Sequence, residues 1–168
     1  MTSFRRRIAI IAAATAVAGG LVLSSVTPAT AGTVNQTLVC GSIFNAGVVI
    51  HYRVTITAPD TAVRGQTATI TVGIAHVTNN PTEIKAGTNH ALLDVTLGGP
   101  SPGVVTAIGL TNPYIAPGTP FRMEGGTAQV TFTAAGDVTY RATRLNGGFY
   151  VCVPAGYPQP VAAVTRVS

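Results

Sequence analysis

Hydrophobic and polar residues alternate along much of the chain, most clearly in the stretch from residue 125 to residue 144. The apolar positions of its two alternating runs are Ala128, Val130 and Phe132, followed by Val138, Tyr140 and Ala142. A period of two places successive side chains on opposite faces of a strand, so each run predicts a strand with one buried face. Between the runs, Gly136 allows a positive φ and Asp137 can hydrogen-bond the backbone, which suits a connection between strands.

The same alternation predicts further strands before and after this pair. They cover residues 34–40, 48–57, 67–74, 93–97, 104–110, 149–153 and 161–167. Segments rich in proline and glycine separate them, and no stretch beyond the N-terminus has the period of a helix. Short strands with frequent turn signals favour packed antiparallel sheets, so we predict an all-β sandwich of about seven to nine strands.

The N-terminus has the three parts of a secretory signal peptide. Arg5–Arg7 form a basic head, a mostly apolar run follows, and Ala29–Ala31 match the A-x-A pattern of a cleavage site. A transmembrane anchor is the alternative, but the apolar run is short and contains the helix-weakening pair Gly19–Gly20. We therefore predict a cleaved signal peptide over residues 1–31, and a secreted, extracellular single domain without a membrane span over residues 32–168.

Cleavage would change the charge of the protein. The full chain has a formal net charge of +5, and loss of the three head arginines leaves seven basic residues against five acidic ones. No stripe of Lys and Arg then remains to contact the phosphates of a nucleic acid. We expect no nucleic-acid partner.

The chain has two cysteines, Cys40 and Cys152, and in an oxidising compartment they predict one disulfide. Such a bridge would close most of the mature chain into one loop and stabilise the fold by about 2–4 kcal/mol. The alternative is one reactive thiol and one buried thiol. Neither cysteine has a His or Lys next to it in sequence that would lower its pKa.

Three groups of residues resemble those of bacterial immunoglobulin-like domains. The groups are Ala58–Pro59 with Val63 and Gly65, Gly126–Val130 with Gly136 and Tyr140, and Cys152–Pro154. Together with the early cysteine, they are similar to secreted actinobacterial β-sandwich domains of unknown function, over most of residues 33–167. The resemblance implies an immunoglobulin-like antiparallel sandwich and export, and it brings no catalytic residues.

One motif of catalytic type occurs, because residues 99–103 match the G-x-S-x-G pattern around Ser101. A nucleophile elbow needs a backbone N–H after the serine and a helix beyond it. Pro102 has no N–H, and a strand is predicted next. No two acids share a predicted strand face, which leaves a glycosidase pair unsupported. We expect no catalytic residues.

The three histidines, His51, His76 and His90, indicate a metal site only weakly. No H-x-H or C-x-x-C spacing supports ligation, and Arg53 shares the outward face of His51, where its charge would oppose a cation. The late strands are similar to those of blue-copper proteins, but no His or Met follows Cys152 to complete such a site. We therefore expect solvated histidines, no metal site and no cofactor.

Five aromatic residues lie in or beside predicted loops. They are Phe44, Tyr114, Phe121, Tyr150 and Tyr157. Such side chains either stack on a sugar or a partner protein, or cover the ends of the core. Covering the ends of the core is the commoner role, and the ligand-binding residues stay unassigned.

Together these features predict a secreted, non-catalytic interaction module that binds a cell-envelope or extracellular protein or glycan. Two rivals stay open: a carrier that holds a small hydrophobic ligand in a cleft at the end of the sandwich, and a secreted hydrolase whose polar cluster the spacing hides. A deep apolar cleft would favour the carrier, whereas a flat surface rich in Thr would favour the interaction module.

Overall fold

The computed structural model describes residues 28–42 and 45–168, and all regular secondary structure within them is β-strand. The strands are β1 (Ala29–Ser42), β2 (Asn45–Pro59), β3 (Thr61–Ala62), β4 (Thr67–Asn80), β5 (His90–Gly98), β6 (Gly103–Thr111), β7 (Thr119–Thr131), β8 (Gly136–Asn146), β9 (Val151–Pro154) and β10 (Ala163–Val167). Every predicted strand is present, and most extend a few residues beyond the alternation that predicted them. The two-residue β3 was not predicted.

The strands form one sheet that closes on itself. Eight of the described strands follow the order β8-β5-β6-β7-β4-β2-β1-β9, and β9 pairs a second time with β8, which completes an antiparallel barrel. The remaining two strands extend the sheet, since β10 pairs with the first half of β8 and β3 runs parallel to β10.

The all-β, antiparallel class is confirmed, but the two-sheet, immunoglobulin-like arrangement is corrected to a closed barrel. The four-residue β9 makes the difference, because Cys152 lies opposite Cys40 of β1 on one side and Leu145 of β8 on the other. Alternating strands are common to sandwiches and barrels, so the pattern alone does not separate the two. Closure also leaves no long free edge between β1 and β8.

The interior of the barrel holds the side chains that alternation assigned to the core. Its largest fully buried members include Val54, Ile56, Ile70, Leu93, Val130, Phe132, Tyr140 and Leu145. All six apolar positions of the stretch 125–144 are buried, as predicted. The strands that carry them are not neighbours, however, because β5 and β6 lie between β7 and β8 in the sheet.

The predicted signal peptide falls mostly outside the described residues. Its last residues, Ala29–Ala31, form the exposed start of β1 opposite the end of β2, so none of the described residues that cleavage after Ala31 would remove is buried. Gly32 is the first residue of β1 that packs closely, since a Cβ atom there would lie 1.6 Å from the carbonyl oxygen of Ala162. In the described part of the chain, no helix is long and apolar enough to cross a membrane.

Candidate ligand site at the mouth of the barrel

One end of the barrel is an open mouth lined with aromatic side chains. Here β1 ends, β2 begins, β4 ends and β7 begins, and their core-facing positions continue beyond the packed interior. These positions line an open cavity of about 430 Å³. Its principal lining side chains are Ile50, Tyr52, His76, Ile84, Phe121 and Tyr150.

Three of the lining rings contact one another across adjacent strands. Tyr52 of β2 lies directly opposite His76 of β4, with ring centroids 4.7 Å apart and an edge-on geometry. Phe121 of β7 contacts the other side of His76, also edge-on, at 5.2 Å. Edge-to-face packing is a favoured arrangement of aromatic rings. This ring ladder of Tyr52, His76 and Phe121 therefore holds one wall of the cavity in a defined shape without a ligand.

The disulfide lies beside this wall and confirms the predicted pairing of Cys40 with Cys152. Both cysteines are buried on the core face. The bond joins the hydrogen-bonded neighbours β1 and β9 rather than two facing sheets, because the described strands form one sheet. Tyr150, just before β9, packs over Gly147, where a Cβ atom would lie 2.1 Å from its ring. The bond and the glycine together place the Tyr150 ring at the mouth.

Three polar groups in the cavity have no partner among the described residues. The hydroxyls of Tyr52 and Tyr150 and the ring nitrogens of His76 make no hydrogen bond to any residue in the described ranges. Burial raises the pKa of Tyr52, to which the nearby Tyr150 adds, and burial also raises the pKa of Tyr150. Burial lowers the pKa of His76, because the charged ring loses hydration. At neutral pH all three groups are therefore uncharged and free to hydrogen-bond a ligand.

The loop that carries Ile84 to the mouth is held by a buried asparagine, Asn112. The Asn112 side chain donates to the carbonyl of Lys85 at 2.7 Å and accepts from the backbone N–H of Asn89 at 2.7 Å. A bridge between Ile84 and Ile115 adds a second tie. The loop between β4 and β5 is thus anchored, and nothing in the sequence pattern indicated this role for Asn112.

Ser101, the serine of the G-x-S-x-G motif, lies at the end of the barrel opposite the mouth. Its side chain is buried, and its Oγ accepts hydrogen bonds from the backbone N–H of Thr133 at 3.0 Å and from the Thr133 hydroxyl at 3.2 Å. The next element is strand β6 rather than a helix. Ser101 therefore ties one loop to another, and its surroundings are not those of a nucleophile.

The three histidines lie apart. His51 is on the outer face, within 2.9 Å of the Thr37 hydroxyl, and His90 is exposed at the start of β5. Only His76 lies in the mouth, where it is partly buried rather than solvated as predicted. No group of three or more His, Cys, Asp or Glu residues in the described ranges is placed to hold a metal ion.

The aromatic residues predicted beside loops divide into two groups. Phe121 and Tyr150 meet at the mouth, whereas Tyr157 is 89% exposed and Tyr114 is exposed with its hydroxyl 3.3 Å from Glu83. Phe44 lies outside the described residues. Tyr52 was not predicted as a site residue, although it lies on the inward face near the start of an alternating strand, which was a usable signal.

Comparison of the chain with family models, with curated proteins and with solved structures finds no match. The interpretation of the mouth therefore depends on its geometry and chemistry alone.

Proposed function

We propose that this protein is a secreted, non-catalytic binding protein that holds a small, largely apolar molecule in the mouth of the barrel. The observation that supports this function is the aromatic cavity with three uncharged polar groups that have no partner among the described residues. Of the functions predicted from the sequence, this one corresponds to the carrier rather than to the interaction module or the hydrolase.

The size and place of the cavity support a small-molecule ligand. Ligand sites usually occupy about 300–1,000 Å³, and the mouth of a β-barrel is one of their common positions. The walls here belong to paired strands and to a disulfide-linked segment, so little order has to form on binding. A planar molecule with one or two hydrogen-bonding groups would match the ring ladder and the polar groups of Tyr52, Tyr150 and His76.

The chemistry of the mouth supports binding without reaction. No Lys, Arg, Asp or Glu side chain lines the cavity within the described residues, and its one histidine has no carboxylate or carbonyl partner to orient it. A general base normally has such an orienting group and a nucleophile within hydrogen-bond reach. The uncharged lining favours uncharged ligands, because a buried charge would have no counter-charge.

We predict that the purified protein binds the neutral fluorescent probe N-phenyl-1-naphthylamine at one saturable site. The variant Phe121→Ala should bind it about tenfold more weakly, since an aromatic contact in a desolvated pocket contributes on the order of 1–2 kcal/mol. The matched control is Tyr157→Ala, which removes an aromatic ring from the exposed surface and should leave the affinity unchanged. Fluorescence titration measures all three proteins, and unsaturable binding or equal affinities would contradict the proposal.

Binding of the same probe should also weaken as the pH falls through the pKa of His76, which burial holds below the usual histidine value of about 6.5. Burial already lowers the pKa of His76, and an apolar ligand that covers the ring would lower it further, so protonation opposes binding. Tyr52 and Tyr150 stay neutral in this range because burial raises their pKa values. Titrations from pH 8 to pH 5 should show a pH dependence that His76→Gln removes and His90→Gln retains. A profile that His76→Gln leaves unaltered would exclude this histidine as its cause.

A further inference from the structure

A groove of about 510 Å³ crosses the outer face of strands β2, β4 and β7. Its floor is formed by the small residues Gly73 and Ala75 of β4, and larger outward side chains of β2 and β7 form its walls. A β-bulge shapes one wall, because the register shifts between Val72 and Ile74 so that Glu124 and Gly125 both lie opposite Gly73. The groove faces away from the barrel mouth and forms a separate surface.

Two arginines flank the floor of this groove in register. Arg53 of β2 pairs with Ala75, and Ala75 pairs with Arg122 of β7, with all three side chains on the outer face. Adjacent strands lie about 4.7–4.9 Å apart, so the two arginine backbones are about 10 Å apart with only a methyl group between them. Two long guanidinium side chains at this separation can approach one anionic group from both sides.

The charges of the groove are largely unused within the protein. The side chain of Arg53 makes no hydrogen bond or ion pair with any residue in the described ranges. Arg122 lies 4.0 Å from Glu124, an exposed contact of the kind that contributes little to stability. One glutamate against two arginines leaves the groove with a single net positive charge, which suits one anionic group at a time.

The remainder of the groove presents hydroxyl groups. Thr57 and Thr71 lie opposite each other on β2 and β4, and their hydroxyls have no partner in the described part of the protein. Thr55, beside them, hydrogen-bonds Thr33 at 3.0 Å. A row of hydroxyls next to a positive site matches a ligand that carries hydroxyls next to an anionic group. The groove crosses three strands and is open to solvent, which suits a stretch of chain that lies across the strands.

We propose that this groove binds an acidic polymer of sugar or polyol type. Its carboxylate or phosphate group would lie between Arg53 and Arg122, because the guanidinium fork matches the oxygens of either anion. Its hydroxyls would contact Thr57 and Thr71. This site is independent of the barrel mouth, so either proposal can fail without the other.

The test measures binding of the purified protein to polygalacturonate, which carries carboxylates, and to poly(glycerol phosphate), with inorganic phosphate and neutral dextran as comparisons. We expect salt-sensitive binding to at least one acidic polymer, and no binding to dextran. Arg53→Gln should weaken the binding about tenfold, as expected for loss of a charge-assisted contact. Arg144→Gln, which removes the same charge elsewhere on the exposed surface, should change it less than twofold.

A second variant tests the shape of the groove at unchanged charge. In Gly73→Thr, the new Cβ atom would lie 3.4 Å from the nearest protein atom, the Met123 carbonyl oxygen, so the strand accepts it while the floor is filled. We expect an unchanged or higher melting temperature. Polymer binding should weaken about tenfold, the same loss as expected for Arg53→Gln. Failure of both polymers to bind, equal effects of Arg53→Gln and Arg144→Gln, or phosphate binding as tight as polymer binding would overturn the proposal.

Discussion

A variant without the Cys40–Cys152 disulfide is expected to lose about 2–4 kcal/mol of its free energy of unfolding. The two cysteines are 112 residues apart, so the unfolded chain regains the freedom of a long loop when the bond is absent. The native state also depends on this bond, because it fixes the four-residue strand β9, which joins β1 to β8 and completes the barrel. Loss of the bond should therefore weaken probe binding at the mouth as well.

Urea denaturation of the double variant Cys40→Ala/Cys152→Ala measures the effect, since alanine leaves no unpaired hydroxyl in the buried site. The matched control is a reducing agent, which should destabilise the wild type by a similar amount and leave the double variant unchanged. Thiol titration of the native protein should detect no free thiol. Two reactive thiols per chain, or equal denaturation midpoints of the two proteins, would show that the bond does not stabilise the fold in solution.

Local alternation was sufficient to predict every described strand except β3, and the buried faces of the strands in which it is unbroken, because there the inward set is a property of the strand's own sequence. The residues of the stretch 125–144 show this, since Phe132 and Tyr140 are both fully buried. Closure of the sheet is different in kind. Closure requires Cys152 to pair with both Leu145 of β8 and Cys40 of β1. The alternation within one strand does not indicate which strands lie beside it.

The candidate site was predictable only in part for the same reason. Phe121 and Tyr150 were possible contact residues because they are aromatics beside predicted loops, and the structure brings them together at the mouth. Tyr52 and His76 lie on the inward faces of long strands, where an aromatic residue usually belongs to the packed core. Their role at the mouth depends on where the interior packing ends relative to each strand, and this is decided by the stagger of neighbouring strands.

The largest single-residue effect is expected at the opposite end of the barrel, where Phe132→Ala should reduce the free energy of unfolding by about 3–5 kcal/mol. The ring is fully buried, so its removal leaves a cavity that the surrounding strands cannot fill. The backbone of Phe132 also holds the turn before β4, because its N–H donates to the Gln66 carbonyl at 2.9 Å and its carbonyl accepts from Gly65 at 2.7 Å. These bonds keep the altered site from collapsing.

Phe149→Ala is the matched control for this substitution, since it removes the same ring from a side chain that is 88% exposed. Its free energy of unfolding should stay within about 0.5 kcal/mol of the wild type in the same urea titration. The folded fraction of Phe132→Ala should still bind N-phenyl-1-naphthylamine with wild-type affinity, because Phe132 and the mouth lie at opposite ends of the barrel. A loss of stability no greater than that of Phe149→Ala would show that Phe132 does not close that end of the barrel. A loss of probe affinity equal to that of Phe121→Ala would show that the two ends are coupled.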